Sequence, residues 1–180
     1  MKVNYIIIAV AVVGLFWTVS IVNKLPTLDE NVNAAISQID NELKRRNDLI
    51  PNLLSVVKGY AVHEEEVFTE VTNARAKAMQ ISFTPELLND PIKLKKFEEA
   101  QAQLSFGLSK LMNITENYPD LKSNQNFLSL QSQLEGTENR IAIARRDYIL
   151  TIKNYNIALR TFPSSILAKL IYPDFKPIVN

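Results

Sequence analysis

The fold of this chain is decided by residues 32–60, VNAAISQIDNELKRRNDLIPNLLSVVKGY. Nine positions in this stretch are spaced alternately four and three residues apart, and eight of them are apolar. They are Val32, Ile36, Ile39, Leu43, Arg46, Ile50, Leu53, Val57 and Tyr60. A spacing of about 3.5 residues is typical of a long helix that packs along one side. The stretch therefore predicts such a helix, with a kink between Asn47 and Pro51 because proline removes a backbone donor.

Further helices are predicted after this stretch. The same spacing continues through residues 67–81, and residues 59–63 are expected to interrupt it. Thr84-Pro85 and Asp90-Pro91 each place a capping residue before a proline, which is a typical helix start. The second of these starts predicts a helix that runs to about Asn117, just before Pro119.

The last long helix is predicted from about Ser123 to Pro163, because apolar positions repeat at three and four residues from Phe127 to Phe162. Sustained alternation with a period of two, which would indicate strands, is not found in the sequence after the amino-terminal segment. The predicted fold class is therefore all α, an antiparallel bundle of three or four long helices that follows an amino-terminal transmembrane helix.

The amino-terminal segment is uncharged from Tyr5 to Val22. As a helix, these residues would span about 27 Å, close to the roughly 30 Å of a bilayer core. We therefore expect a membrane anchor in residues 1–24, with the transmembrane helix at about 5–22, and a helical bundle in residues 25–180. A capping box at Thr27 and Glu30 would open the bundle after a break at 24–26.

Two further interpretations concern this segment. Lys2 and the small residues at 18–20 also fit a cleaved signal peptide, although the apolar run continues beyond them. For a retained single-pass anchor, the amino terminus and Lys2 outweigh Lys24, so the positive-inside rule favours a cytoplasmic amino end. The bundle is then expected on the extracytoplasmic side.

Composition argues against most kinds of chemistry. The chain has 20 basic and 19 acidic residues, too balanced for a phosphate-backbone partner, so no nucleic acid is expected. Its four glycines are dispersed and it has no cysteine, so neither a phosphate-binding loop nor a thiolate site is predicted. His63 precedes three glutamates at 64–66, but di-iron bundles need two histidine motifs and this chain has one histidine. We predict no metal, no cofactor and no enzymatic activity.

Arg46 is the charged residue in the apolar repeat. A buried guanidinium needs a carboxylate and hydrogen bonds, so a partner is expected. Glu42 lies one turn earlier on the same helix, and Glu138 lies near the centre of the last helix. We interpret the pair as structural, with ligand binding as the alternative. A second stripe, with Arg140, Arg145 and Arg146 beside Tyr148 and Tyr155, is interpreted as a packing edge.

Two blocks of sequence resemble the LemA family over nearly the whole chain. The first contains RRNDLIPNL at 45–53, VKGYA at 57–61, His63-Glu64 and ARA at 74–76, and the second contains LEGTENRIA at 134–142, ARRDY at 144–148, Tyr155-Asn156 and Phe162-Pro163-Ser164. The chain departs from the family pattern at Ile149 and in its last residues, 173–180.

The resemblance implies a bacterial, membrane-anchored helical bundle without an established biochemical activity. Some members are linked to membrane proteases or to membrane remodelling. The candidate structural or interaction residues are Arg46, Asp48, Pro51, Glu138, Asn139 and Arg145, all of which lie in the two blocks.

Three functions remain open: a scaffold or interaction protein at the membrane, an accessory subunit of a membrane protease or remodelling system, and an enzyme, which is disfavoured. The expected partners are the lipid bilayer through residues 5–22 and either a membrane protein or a second copy of the chain. The apolar tail that follows Pro163, residues 166–172, favours contact with a partner or a membrane surface. Alternatively, the tail caps the bundle.

Overall fold

The computed structural model describes the backbone of residues 2–178 and the side chains of residues 12–178. The described chain is helical and contains no strand, so the all-α prediction is confirmed. Its helices are α1 (Lys2–Lys58), α2 (Glu65–Ala78), α3 (Pro85–Leu88), α4 (Pro91–Thr115), α5 (Pro119–Lys122), α6 (Gln125–Arg160) and α7 (Ser164–Ile171). The short helices α3, α5 and α7 are additions to the long helices that the sequence pattern indicates.

The chain forms two compact units. The first unit comprises residues 1–35 and 145–180, and the second comprises residues 36–144. Helices α1 and α6 each contribute residues to both units.

The second unit is built around one apolar core to which α1, α2, α4 and α6 all contribute. Its fully buried members include Ile50 and Val57 of α1, Val71 of α2, Leu104 of α4 and Phe127 of α6. Burial of side chains of this size is worth about 1.5–3 kcal/mol each, which makes the core the main source of stability.

Contacts in this unit show that α2 and α4 run antiparallel. Lys110 Nζ lies 2.7 Å from Glu70 Oε2, and Lys77 Nζ donates to Gln103 Oε1 over 3.4 Å. A later residue of α2 therefore contacts an earlier residue of α4. Gly107 permits the close approach, because a Cβ built there would lie 3.3 Å from Val71 Cγ2.

The apolar repeat of α1 is buried at all its positions except Tyr60, which is 41% exposed. The repeat predicts Tyr60 on the buried side, but α1 ends at Lys58, and a helical repeat does not predict burial beyond the end of its helix. Its hydroxyl instead accepts a hydrogen bond from Asn124 Nδ2 over 2.8 Å. Phe162 fails for the same reason: α6 ends at Arg160, and Phe162 is 79% exposed.

Both proline-marked starts are confirmed. Thr84 Oγ1 accepts from Leu87 N at 3.3 Å, and Asp90 Oδ1 accepts from the N–H groups of Ile92 and Lys93, each at 3.1 Å. The hydrogen bond from the backbone of Lys93 holds the pKa of the Asp90 carboxyl below its usual range. These caps satisfy donors that the first turn of a helix leaves free.

The predicted helix start at Thr27 is wrong. Helix α1 passes through Pro26 without a break, and Thr27 Oγ1 donates to the Asn23 carbonyl over 3.1 Å instead of capping. A proline can be tolerated within a helix because it removes a single backbone bond, and Leu25, which is fully buried, fixes this part of α1 by packing.

Within the described part of the chain, no helix has an apolar stretch long enough to cross a membrane. The predicted transmembrane helix at about 5–22 is therefore without support from the structure. The side chains of residues 5–11, which belong to that prediction, lie outside the described residues.

The first unit ties the end of the chain to α6. Asn156 donates from Nδ2 to the Ile178 carbonyl over 2.8 Å and accepts from the Ile178 N–H over 2.9 Å. Phe175 stacks on Tyr172 and also contacts Tyr155. Burial, together with a hydrogen bond to the Asp29 carboxyl, raises the pKa of Tyr155 to about 12.

Candidate functional site

The candidate site is a cluster of polar side chains around Arg46 in the second unit. Arg46 is 3% exposed, and its Nη1 donates to Glu138 Oε1 at 3.0 Å. The same nitrogen lies 3.5 Å from Ser105 Oγ, and Nη2 donates to Gln101 Oε1. Arg46 of α1 is therefore held by side chains of both α4 and α6.

Glu42, the local alternative for the Arg46 partner, instead pairs with Arg140 on α6. Arg140 Nε donates to Glu42 Oε2 over 3.0 Å, and Arg140 Nη2 donates to Thr137 Oγ1 over 2.8 Å. The second Glu42 oxygen accepts from Gln38 Nε2 at 3.2 Å. The structure thus selects Glu138 for Arg46.

Both ion pairs join α1 to α6. Arg46 pairs with Glu138, whereas Glu42, which precedes Arg46 on α1, pairs with Arg140, which follows Glu138 on α6. Two carboxylates and two guanidinium groups make the cluster formally neutral. Because a one-turn slip would leave several charges unpaired at a cost of several kcal/mol, the cluster fixes the register of α1 against α6.

Pro51 affects a backbone carbonyl inside this unit. It has no N–H, so the carbonyl of Asn47, four residues earlier, lacks its usual helical donor. Arg75 of α2 replaces that donor: its Nε donates to the Asn47 oxygen over 2.7 Å. A proline in α1 thereby creates the acceptor that connects α1 to α2.

The other predicted site residues lie on the surface. Asp48, Pro51 and Asn139 are exposed in the second unit, and Arg145 is exposed in the first unit. The structure brings together Arg46 and Glu138 from the predicted set. The roles of Asp48, Asn139 and Arg145 as interaction residues remain predictions.

The stripe of Arg140, Arg145, Arg146, Tyr148 and Tyr155 is divided in the structure. Arg140 belongs to the cluster in the second unit, and Arg146 bonds to Asp147 at 3.1 Å. Tyr148 and Tyr155 are buried in the first unit, and burial raises the pKa of Tyr148 to about 12.

Sequence reasoning missed Gln101 and Arg75. Gln101 lies between Phe97 and Leu104 at the spacing of four and three that marks the buried side of α4, so its signal was a polar residue within an apolar repeat. The signal for Arg75 was indirect, since it required asking which donor would serve the carbonyl that Pro51 leaves free.

Two buried polar atoms in this region have no hydrogen-bond partner among the described residues: Arg46 Nε and Asn47 Oδ1. Next to the cluster, α4 and α6 form a groove of about 380 Å³. Its lining includes Ser105 and Glu138, both partners of Arg46, together with Leu108 and Met112. The groove offers an apolar floor beside a half-exposed carboxylate.

His63 lies in the turn between α1 and α2, and its side chain is exposed. The neighbouring Glu64 accepts a hydrogen bond from the Tyr118 hydroxyl over 3.2 Å. In the part of the chain that the structure describes, no three histidine or acidic side chains come close enough to hold a metal ion.

Fold and cluster together define an all-helical protein in which paired charges connect the helices. Comparison with known proteins assigns this class to a family. The chain belongs to the LemA family, whose family model matches residues 35–178. The resemblance seen in the two sequence blocks is thereby confirmed.

Individual relatives are distant. The chain is 25% identical over 162 residues to magnetosome protein MamQ 2 of Paramagnetospirillum magneticum, which covers 81% of this chain and 60% of the relative. It is 24% identical over 164 residues to magnetosome protein MamQ of Magnetospirillum gryphiswaldense, an alignment that covers 82% of this chain and 60% of the relative. It is 25% identical over 171 residues to protein LemA of Metamycoplasma hominis, with 93% and 74% covered. The chain thus spans about three fifths of the length of the magnetosome relatives.

Proposed function

We propose that this chain is a membrane-attached helical scaffold that binds other proteins and does not catalyse a reaction. Its amino-terminal segment binds lipid, and its second unit presents packed helices to protein partners. The amino terminus and Lys2 together outweigh Lys24, and this charge asymmetry favours the extracytoplasmic side for the second unit.

One observation carries the attachment: the amino-terminal part of α1 exposes a continuous set of large apolar side chains. Its members are Val12, Val13, Leu15, Phe16, Trp17 and Val19, with Phe16 73% exposed. Water-exposed protein surfaces rarely carry so large an apolar patch unless another molecule covers it. The uncharged sequence from Tyr5 to Val22 extends the patch and favours lipid as the covering medium.

The scaffold role is supported by the way in which the second unit uses its charges. Arg46, Glu42, Glu138 and Arg140 pair with one another and hold helices in register, which is a structural task. The relatives that are named for the magnetosome favour a part in a larger cellular assembly. A role as accessory subunit to a membrane protease or remodelling system would use the same surfaces.

The attachment is tested by replacing Val13 and Phe16 with arginine in the full chain. Arginine at mid-membrane costs about 2.5–3.5 kcal/mol per residue, so the variant should move from washed membranes to the soluble fraction. Ile92→Arg, an exposed apolar position of α4, is the matched control and should stay with the wild type. Retention of the double variant, or a soluble wild type, would refute attachment through this segment.

The scaffold role is tested by photo-crosslinking in intact membranes. A crosslinking residue at Asn113, in the groove beside Glu138, should form a discrete protein adduct, whereas one at the exposed Lys95 should not. Equal labelling at both positions would contradict a partner site in the groove.

A reporter fused after Asn180 tests the side of the membrane, and cytoplasmic activity would reverse the proposed orientation.

A further inference from the structure

Helix α7 has one covered face and one open face. Ala168 is buried in the first unit, whereas Ile166, Leu170 and Ile171 are exposed, Leu170 by 74%. Phe162, four residues before Ile166, is also exposed. Positions four apart lie on the same side of a helix, so Ile166 and Leu170 form an apolar ridge that points away from the protein.

The position of α7 is fixed from its covered side. The residues after it return to α6, where the Asn156 amide holds both backbone groups of Ile178. Tyr172 and Phe175 stack with ring centroids 5.0 Å apart. The open face of α7 is therefore preformed and does not need a partner to become helical.

The start of α7 lies near the apolar amino-terminal segment, within the same unit. A groove of about 470 Å³ has Trp17, Ile21 and Lys24 of α1 on one side and Pro163 and Ser164, at the start of α7, on another. A bilayer that covers Trp17 would consequently meet α7 at its surface, at the depth where tryptophan is favoured.

Charge is unevenly distributed between the two units. The first unit has eight basic and four acidic residues, a net charge of +4, and the second has twelve basic and fifteen acidic residues, a net charge of −3. Arg160, Lys169 and Lys176 of the first unit are all exposed at or beyond the end of α6. The unit that carries the apolar ridge is thus the one that an anionic surface attracts.

We propose that the open face of α7 is a second lipid contact, which lies in the headgroup region of an anionic bilayer beside the amino-terminal segment. This inference rests on the proposed attachment of that segment to a membrane. Phe162, Ile166 and Leu170 enter the boundary between headgroups and acyl chains, and Lys169 extends to the phosphates. The contact orients the first unit against the bilayer, which a single flexible anchor would leave free to turn.

The test uses a fluorophore on the full chain. Because the chain has no cysteine, Leu170→Cys provides a unique site for an environment-sensitive label, and Ile92→Cys provides a control of similar exposure, 70%, in the second unit. Both proteins are reconstituted in phosphatidylcholine vesicles with and without phosphatidylglycerol, some of which carry a spin label on a shallow acyl carbon. Vesicle flotation is measured in parallel.

We expect the label at 170 to be quenched several-fold more than the label at 92, and more strongly when phosphatidylglycerol is present. Lys169→Gln should reduce the added effect of phosphatidylglycerol, whereas Lys95→Gln, an exposed lysine of α4, should not. A label at Ile166→Cys should repeat the result if the first variant perturbs the helix.

Other outcomes separate the two proposals. If the chain floats with vesicles but position 170 is no more quenched than position 92, the second contact is refuted and the attachment stands. A chain that does not float refutes the attachment and this inference with it. A label at 170 that is shielded from a water-soluble quencher but is not reached by the acyl-chain spin label would mean that protein covers α7, which also overturns the inference.

Discussion

Two parts of helix α1 differ in how their apolar residues are used. Residues 36–57 combine apolar positions on one side of the helix with polar ones on the other, and the apolar side is buried in the second unit. Residues 12–19 are apolar around most of the helix and exposed. A narrow apolar side can be covered by neighbouring helices, whereas a helix that is apolar all round needs an apolar medium. Periodicity, more than apolar content, therefore decides which part of α1 packs within the protein.

The largest effect is expected at the charged position of the packed part. Arg46→Ala should lower the free energy of unfolding by about 3 kcal/mol, because it leaves buried Gln101 and half-exposed Glu138 without their partner. Chemical denaturation of the full chain in detergent measures the loss. Arg45→Ala, at the exposed neighbouring position, should change stability by no more than about 0.5 kcal/mol. If Arg46→Ala unfolds together with the wild type, the cluster does not stabilise the packed part.

Close packing of the second unit predicts the next effect. Gly107→Leu should cost about 2 kcal/mol, because the new side chain would collide with Val71 of α2. Gly136→Leu is the matched change on α6: a Cβ there lies 3.5 Å from Arg140 Nη1, an ordinary contact distance, and leucine is the better helix former. The same denaturation experiment should show no loss for Gly136→Leu. Equal losses at both glycines would contradict the close approach of α2 and α4.

A smaller effect is expected where α2 donates to α1. Arg75→Ala should cost about 1 kcal/mol, since the Asn47 carbonyl loses its donor. In a Pro51→Ala background the alanine N–H can serve that carbonyl, so the same change should cost less. A double-mutant cycle measures the difference, and an unchanged cost in the two backgrounds would show that the hydrogen bond contributes nothing.

The smallest effect is expected in the exposed part of α1. Phe16→Ser should alter the unfolding free energy by less than about 0.5 kcal/mol, because that side chain makes little contact with the protein. Phe127→Ser, at a fully buried ring of α6, should cost several times as much. A large loss for Phe16→Ser would mean that the protein itself covers this part of α1, which would remove the contrast between the two parts.

The sequence predicts those helix starts that depend only on residues close together in the chain. Asp90-Pro91 marks the start of α4 correctly because capping involves residues two or three apart. Tyr60 and Phe162 were misplaced because a repeat does not indicate where its helix ends. Thr27 and Glu30 have the sequence of a capping box, but they lie inside the continuous helix α1, so no helix begins at Thr27.

The partner of Arg46 illustrates the long-range part. The sequence offers both Glu42 and Glu138 as partners for Arg46, and Glu42 lies one turn before Arg46 on the same face of α1. Acceptors on α4 decide the outcome: Gln101 and Ser105 draw the guanidinium toward α4 and α6, and Glu42 is left for Arg140. No pattern within one helix contains that information, because it depends on which side chains three helices bring together.

Pro51 has a consequence for how this fold is inherited. The proline and Arg75 are 24 residues apart in sequence, yet one removes a donor and the other supplies it. A lineage that loses the proline restores the helical bond, and position 75 then becomes free to vary. A lineage that keeps the proline must retain a donor at position 75. The two positions should therefore evolve as a pair, with the loss of Pro51 preceding the loss of Arg75.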